Sequence, residues 1–401
     1  MLKLSKARIF FLVVYIVFTL LYPKVYYFDY ISLFLVAFYF FFDIKNIKIS
    51  KTLFIYFILI LLFYFLPSIM YSSFKSSIVN FLGFFVRISP ILIGINELNH
   101  FDDLNIISYY KKISNIIIFV LLYIFIINIY YLGLNPYFAR IMANYTYNVP
   151  GVSGCAIASG GGYFAVYGSI FLICYLFKKT IFYKKKNFVY VILLILNFVF
   201  ILKANFATAF IMMIFTILIF LFVQNFKKKK IFSFVIIIFS MFALVNYKNI
   251  AFVITDHLPK DSIISIRLND AINNSEDSTF GERIDLMQKS FKTISENFLF
   301  GISAQYNHDY TKLISKIGLH TEWVDFFARY GVCIALLYFA FIVKAFKILI
   351  KSGVDNELFI TYFITTIFLG FLNPLLNSGC FFFIFLIIPI LIVGGRNEKT
   401  L

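Results

Sequence analysis

Charge is what this chain has least of. Only 14% of its 401 residues are charged, against about 25% in an average soluble domain. Apolar residues make up 62%, with 56 Phe and 28 Tyr. A soluble domain of this length must show much of its surface to water and cannot hide so much apolar area. The shortage of charge therefore excludes a soluble enzyme, and the wealth of aromatics excludes a disordered chain. Cysteine is scarce as well. Cys155, Cys174, Cys333 and Cys380 each lie in or beside an apolar run, and no two form a CxxC pair. That spacing supports neither a zinc site nor a disulfide framework, and it leaves the four as small packing residues.

Acidic residues are few too, 19 against 36 Lys and Arg, for a net charge of +17. In a soluble protein such an excess would point to nucleic acid. No basic module with interleaved aromatics lies outside the apolar runs, so nucleic acid is not a partner. The excess fits cytoplasmic loops, which collect Lys and Arg. A nucleotide fingerprint is missing: the small-residue stretch Gly151–Gly162 follows no strand and ends in no Lys-Ser/Thr, and close helix approach is its plainer use. There is no internal repeat, which counts against a transporter built on inverted halves.

What the chain does have is long apolar runs. About 17–25 residues cross a bilayer as a helix, and such runs fall near 7–22, 26–42, 52–70, 76–96, 113–134, 152–177, 187–202, 205–224, 231–247, 331–350, 357–373 and 380–395. The expected fold is all-α: a polytopic membrane bundle of about twelve helices with one large non-cytoplasmic loop. Residues 1–247 hold spans one to nine, 248–330 the loop, and 331–401 the last three spans and a tail. The first run follows Lys3, Lys6 and Arg8 without a small-residue cleavage site, so it reads as an uncleaved helix. With both termini cytoplasmic, 21 Lys and Arg fall on inside segments and 4 on short outside loops. The asymmetry fixes that orientation.

The loop carries three of the four histidines. Thr279-Phe-Gly-Glu282 has the form of a capping box. Ile284, Met287, Phe291, Ile294 and Phe298 follow at helical spacing, and Gly301 closes the segment. This predicts an amphipathic helix at the membrane surface or against the bundle. A second helix starts near Thr321 and merges with the span after Gly331.

Several side chains could carry chemistry. His320 stands at a helix start, where the helix dipole favours a neutral imidazole able to accept a proton, and Glu322 is placed to orient it. A histidine at the interface with no chemical role is the alternative. Arg283, Arg140 and Lys203 are cations expected on the outer face, suited to phosphate, though solvated or snorkelling roles suit them equally. Arg87 lies mid-span, where a charge marks either a functional site or a paired structural one. Asp102-Asp103 reads as a solvated loop pair.

Three segments resemble the O-antigen polymerases and ligases. Gly281-Glu-Arg283 through Asn-Phe-Leu-Phe-Gly301 is similar to that family's loop segment, with its Arg, amphipathic helix and closing glycine. His320-Thr-Glu-Trp-Val-Asp-Phe-Phe-Ala-Arg-Tyr-Gly331 resembles its His-Asn-x-x-Leu…Gly pattern. Arg140 to Gly151 matches an Arg-ten-Gly spacing of Wzy-type polymerases. The chain departs from the family in having Thr321 in place of Asn, and Lys203-Ala-Asn-Phe in place of a Ser-Arg pair. A second Arg-ten-Gly spacing is missing from the loop.

The resemblance implies a glycosyltransferase of the bacterial inner membrane that needs neither cofactor nor metal. Its substrate would be an undecaprenyl-pyrophosphate-linked oligosaccharide, and it would work beside membrane lipid, a flippase and a chain-length regulator. Polymerisation of repeat units into O-antigen or capsular polysaccharide is the first expectation. Ligation of glycan to lipid A core is the second, and transport of the lipid-linked oligosaccharide is the alternative from another class. The site expected is His320 with Glu322 for the acceptor's proton, and Arg283, Arg140, Lys203 and Arg87 for the pyrophosphate.

Overall fold

The structure is a computed structural model that describes residues 2–22, 28–44, 47, 50–71, 74–101, 104–144, 162–182, 187–204, 206–226, 256, 279–302, 315–376 and 378–395. Every regular element among them is helical and no strand occurs, as the composition led us to expect. The first five helices are α1 (Leu2–Leu21), α2 (Phe28–Asp43), α3 (Lys51–Tyr71), α4 (Phe74–Leu98) and α5 (Leu104–Leu134). Then come the short α6 (Phe138–Asn144), α7 (Gly162–Ile181), α8 (Phe188–Lys203) and α9 (Ala207–Phe226). The amphipathic α10 (Thr279–Glu296) is followed by α11 (Glu322–Lys351), α12 (Asn356–Leu372) and α13 (Cys380–Gly394).

Four stretches are long and apolar enough to cross a membrane: Phe81–Leu98, Ile107–Leu134, Gly162–Ile181 and Glu322–Lys351. The other apolar helices are shorter. These features mark a membrane protein; the twelve-span layout and the orientation of its ends stay expectations. The ninth span at 231–247, the Lys227–Lys230 run, Cys155, the stretch 151–161, Asp102-Asp103, His257 and His308 lie outside the described residues. Most of the 248–330 loop does too.

The bundle interior is apolar and aromatic, and several of its polar groups bond across helices, as a low-dielectric core favours. The Tyr362 hydroxyl donates to Phe171 O (2.7 Å) and the Tyr175 hydroxyl to Leu391 O (3.1 Å). Cys174 and Cys380 are buried free thiols, the packing role expected for them, whereas Cys333 is exposed. Pro90 inside α4 cannot donate to the carbonyl of Val86. The Ser89 hydroxyl donates to that carbonyl instead (2.8 Å), so Tyr15, 3.0 Å from Ser89 Oγ, is the donor in their pair. In α13, Pro389 removes the bond to Phe385, and the chain widens there into a π-turn at Phe383–Ile387. Gly94 and Gly168 receive this turn, since a Cβ at either would collide with Phe385 or Phe383.

The end of the bundle where α10 packs against α11 is called the loop end below. The opposite end holds the start of α1.

Candidate functional site

A cavity of about 530 Å³ opens at the loop end between α2, α4, the first turns of α11 and the segment after α12. Helical periodicity explains its walls. Val79, Gly83 and Arg87 stand four residues apart and share one face of α4, while Glu322, Asp325, Phe326 and Arg329 share one face of α11. All seven line the cavity, as does Asp29 from the start of α2.

The beginning of α11 is built with care. Thr321 is its N-cap: Thr321 Oγ1 accepts from Asp325 N (3.3 Å), and Asp325 Oδ2 accepts from Thr321 N (2.6 Å). The departure from the family's Asn is thereby explained, because Thr and Asn both cap helices. The Ser290 hydroxyl of α10 donates to Asp325 Oδ1, and Gly318 N donates to Ser290 Oγ (2.9 Å). Leu319 has φ +57°, a left-handed conformation uncommon for a residue with a side chain. Nine residues into α11, Gly331 takes φ 77° and ψ 172° and breaks the helix. Gly301, at φ +60°, fits into that break so closely that a Cβ on either glycine would strike the other segment's backbone. Val332 N donates to Phe298 O (2.9 Å) and Ile302 N to Ala328 O (3.2 Å) across the junction. The helix that starts at Thr321 therefore continues past Gly331 only across a kink, and α10 ends at Glu296, five residues before Gly301.

The amphipathic helix packs on the bundle with only part of its apolar stripe, Ile294 against Ile302, Ile317 and Ala328. It faces α11 with Ser290 and Thr293, both buried, while Phe291 and Phe298 are 51% and 55% exposed. Hydrogen bonds from the two hydroxyls, to Asp325 and to Lys316 O (2.5 Å), decide the face.

Of the expected site residues, Arg87 lines the cavity. It is exposed to it and belongs to none of the ion pairs among the described residues. Its charge does bear electrostatically on Glu322. His320 stands between two lining residues, Leu319 and Thr321, with its own side chain exposed. Glu322 requires a correction. Its Oε1 accepts from the Tyr338 hydroxyl (2.9 Å), and its Oε2 accepts from the amides of Leu375 (2.8 Å) and Leu376 (3.3 Å). The buried carboxylate is an anchor for the segment after α12, and the orienting role expected of it toward His320 gives way to that.

Arg140 and Lys203 stand apart from the cavity. The Arg140 guanidinium lies 5.5 Å from the Phe206 ring, and Lys203 is exposed at the end of α8. Phe206 in turn packs on Tyr163 (ring centroids 6.1 Å apart), whose hydroxyl donates to Asn373 (3.3 Å). Arg283 falls in the first turns of α10; its side chain lies outside the description.

Arg329 is the residue that sequence reading missed. It looked like one more loop cation, but it lines the cavity opposite Arg87, its guanidinium 5.2 Å from the Tyr330 ring. Its spacing of seven from Glu322 was the available signal. Asp29, an acidic residue within the apolar run at 26–42, is the other.

The fold and site together define an all-helical membrane protein with a cavity at one end of its bundle, lined by two arginines and three carboxylates. Residues 190–339, which run from α8 through the kinked α11, match the Wzy_C family model, described as O-antigen ligase. That segment, a little over a third of the chain, is similar to the O-antigen ligase family and supports a membrane glycan-processing role. No curated protein matches it.

Proposed function

We propose that the protein polymerises oligosaccharide repeat units carried on undecaprenyl pyrophosphate, and that the cavity binds the donor's pyrophosphate. The observation that carries this reading is Arg87 and Arg329 facing one cavity, Arg87 in no ion pair among the described residues. A charge left without an ion-pair partner in an apolar helix is costly unless a ligand makes use of it. Guanidinium groups match the oxygens of a pyrophosphate in paired hydrogen bonds. They would also neutralise the charge that develops as this leaving group departs.

In the reaction the acceptor sugar's hydroxyl attacks the anomeric carbon of the donor. The C–O bond to the pyrophosphate breaks, the lipid pyrophosphate leaves with the bonding electrons, and the anomeric configuration inverts. The hydroxyl proton needs a base. His320, at the rim beside the N-cap of α11, is the group proposed for it. Arg283, Arg140 and Lys203 would guide the charged headgroup toward the cavity. The inner membrane, cytoplasmic termini and an active face on the opposite side belong to this proposal, as do a flippase and a chain-length regulator as partners.

The family description favours one second reading, transfer of finished glycan to a lipid A core, which uses the same chemistry. Glycan length in cells lacking the protein separates the two. Single repeat units on the core indicate a polymerase, and long polymer held on the lipid carrier indicates a ligase. Purified protein that turns over a lipid-pyrophosphate-linked repeat unit at an unchanged rate after Arg87→Ala would sink the donor-site reading.

A further inference from the structure

Three carboxylates line the cavity, Asp29, Glu322 and Asp325. Two are fully engaged by the protein. Glu322 accepts from Tyr338 and two backbone amides, and Asp325 accepts from Ser290 and Thr321 N. Asp29 takes part in no hydrogen bond or ion pair among the described residues, and it is only partly buried. A Cβ built on Gly83 would lie 3.7 Å from Asp29 Oδ2, so the carboxylate rests against α4 at Gly83, where no side chain intervenes. Arg87 is four residues further along the same face, about 6 Å deeper into the bundle.

We infer that Asp29 is a sugar-binding residue, which accepts hydrogen bonds from hydroxyl or amide groups of the first sugar of the donor. The inference rests on the donor-site reading and deepens it. That sugar is bonded directly to the terminal phosphate. With the pyrophosphate on Arg87, the sugar occupies the next turn of α4 toward the loop end, where Gly83 leaves room and Asp29 supplies lone pairs. An ionised carboxylate is the acceptor best suited to a polyol, because it takes hydrogen bonds from two neighbouring hydroxyls at once and each is charge-assisted. A carboxylate beside a pyrophosphate would repel it in isolation. Here Glu322 and Asp325 are held by their own donors, the two arginines share the cavity with Asp29, and the arrangement penalises a lipid pyrophosphate that carries no sugar. That is useful selectivity, since the bare lipid pyrophosphate is the reaction's own product.

The test uses the full chain in lipid nanodiscs. Two probes are compared: undecaprenyl pyrophosphate, and undecaprenyl pyrophosphate bearing one N-acetylhexosamine. Asp29→Ala is expected to weaken the glycosylated probe roughly ten- to hundred-fold, as for lost hydrogen bonds to a charged group, and to leave the bare probe unchanged or slightly tighter. Asp29→Asn keeps the volume and one acceptor, so it is the variant to use if the alanine fails to fold, with a smaller loss on the glycosylated probe alone. Tighter binding of both probes would make Asp29 a mere counter-charge to the arginines and overturn the inference. So would equal weakening of both, or no change in either. Arg87→Ala is run in parallel. If it leaves the bare probe's affinity intact, the donor-site reading itself has failed, whatever Asp29 does.

Discussion

Helix α4 passes two arginines that meet opposite fates. Near its end, Glu97 and its neighbours enclose Arg8 of α1. About 15 Å back along the axis, Arg87 of α4 itself faces the cavity. Arg8 is buried and ion-paired: its Nη1 lies 3.2 Å from Asp43 Oδ1, and its Nε 3.7 Å from Glu97 Oε1. The carboxylates are held in turn. Asn96 donates to Asp43 Oδ2 (2.6 Å), Tyr110 to Glu97 Oε2 (2.6 Å), and Tyr39 to Glu97 Oε1. His100 Nε2 stands 3.6 Å from Asp43. This network joins α1, α2, α4 and α5 and leaves little room for a ligand. At Arg87 the nearby carboxylates Glu322 and Asp325 are engaged by other donors, and the guanidinium is left to the cavity. The same residue type therefore ties helices together at one end and faces an open cavity at the other. The difference lies in where the acidic groups spend their lone pairs.

Two substitutions break this contrast in opposite directions. Arg8→Met strands Asp43 and Glu97 in the interior, and removing one partner of a buried pair costs about 3–5 kcal/mol. The expected outcome is a large drop in thermal stability in detergent and a fall in membrane abundance. A variant as stable as the wild type would show that the network does not hold the bundle. Arg87→Met should do the reverse, with near-normal stability and transfer from the lipid-linked donor lowered by about 10²–10³, the usual loss when a donor to a developing charge is removed. Arg87→Lys keeps the charge and loses the fork, so it should be impaired as well. If Arg87→Met instead unfolds the protein, the arginine is structural like Arg8.

How much of this was legible in the sequence follows from the kind of interaction involved. The helices came from runs of apolar residues, and the cap at Thr321 and the turns at Gly331 and Gly301 came from local backbone requirements that a few neighbouring residues announce. Arg87 stood out because a single charge in an apolar run is conspicuous. Pairings between distant segments leave no such trace. Nothing near Arg8 announces Asp43, and nothing in Ser290 announces Asp325. Glu322 was misread for a related reason. Two residues apart at a helix start looks like partnership, yet helical geometry turns such neighbours toward different faces. Arg329 was hidden by being counted with the loop, although it belongs to the first turns of α11.

The junction that sets those first turns offers a smaller perturbation. Gly331→Ala meets both a left-handed φ and the backbone of Leu299 and Phe300. Strain of this kind costs on the order of 1–3 kcal/mol. The expected result is a moderate loss of stability together with easier proteolysis between α10 and α11, since the hydrogen bonds of Ile302 and Val332 lose their register. Unchanged protease resistance would mean that the break at Gly331 is incidental.

The smallest expected effect belongs to Ser290→Ala, which is also the most selective. Its hydroxyl gives one hydrogen bond to Asp325 and receives one from Gly318 N, and a typical net contribution is about 1 kcal/mol. The site lies across the seam between α10 and the start of α11, far from the Arg8 network. Global stability should therefore fall only slightly, and the Arg8 end should not respond at all. What changes is Asp325, whose Oδ1 would lose its donor while facing the same cavity as Arg87. A carboxylate freed in that position competes with the donor's phosphates for the arginines. KM for the lipid-linked substrate should then rise more than kcat falls. Equal loss in both, with unchanged thermal stability, would place Ser290 in the chemistry itself and blur the division between the closed end and the open one.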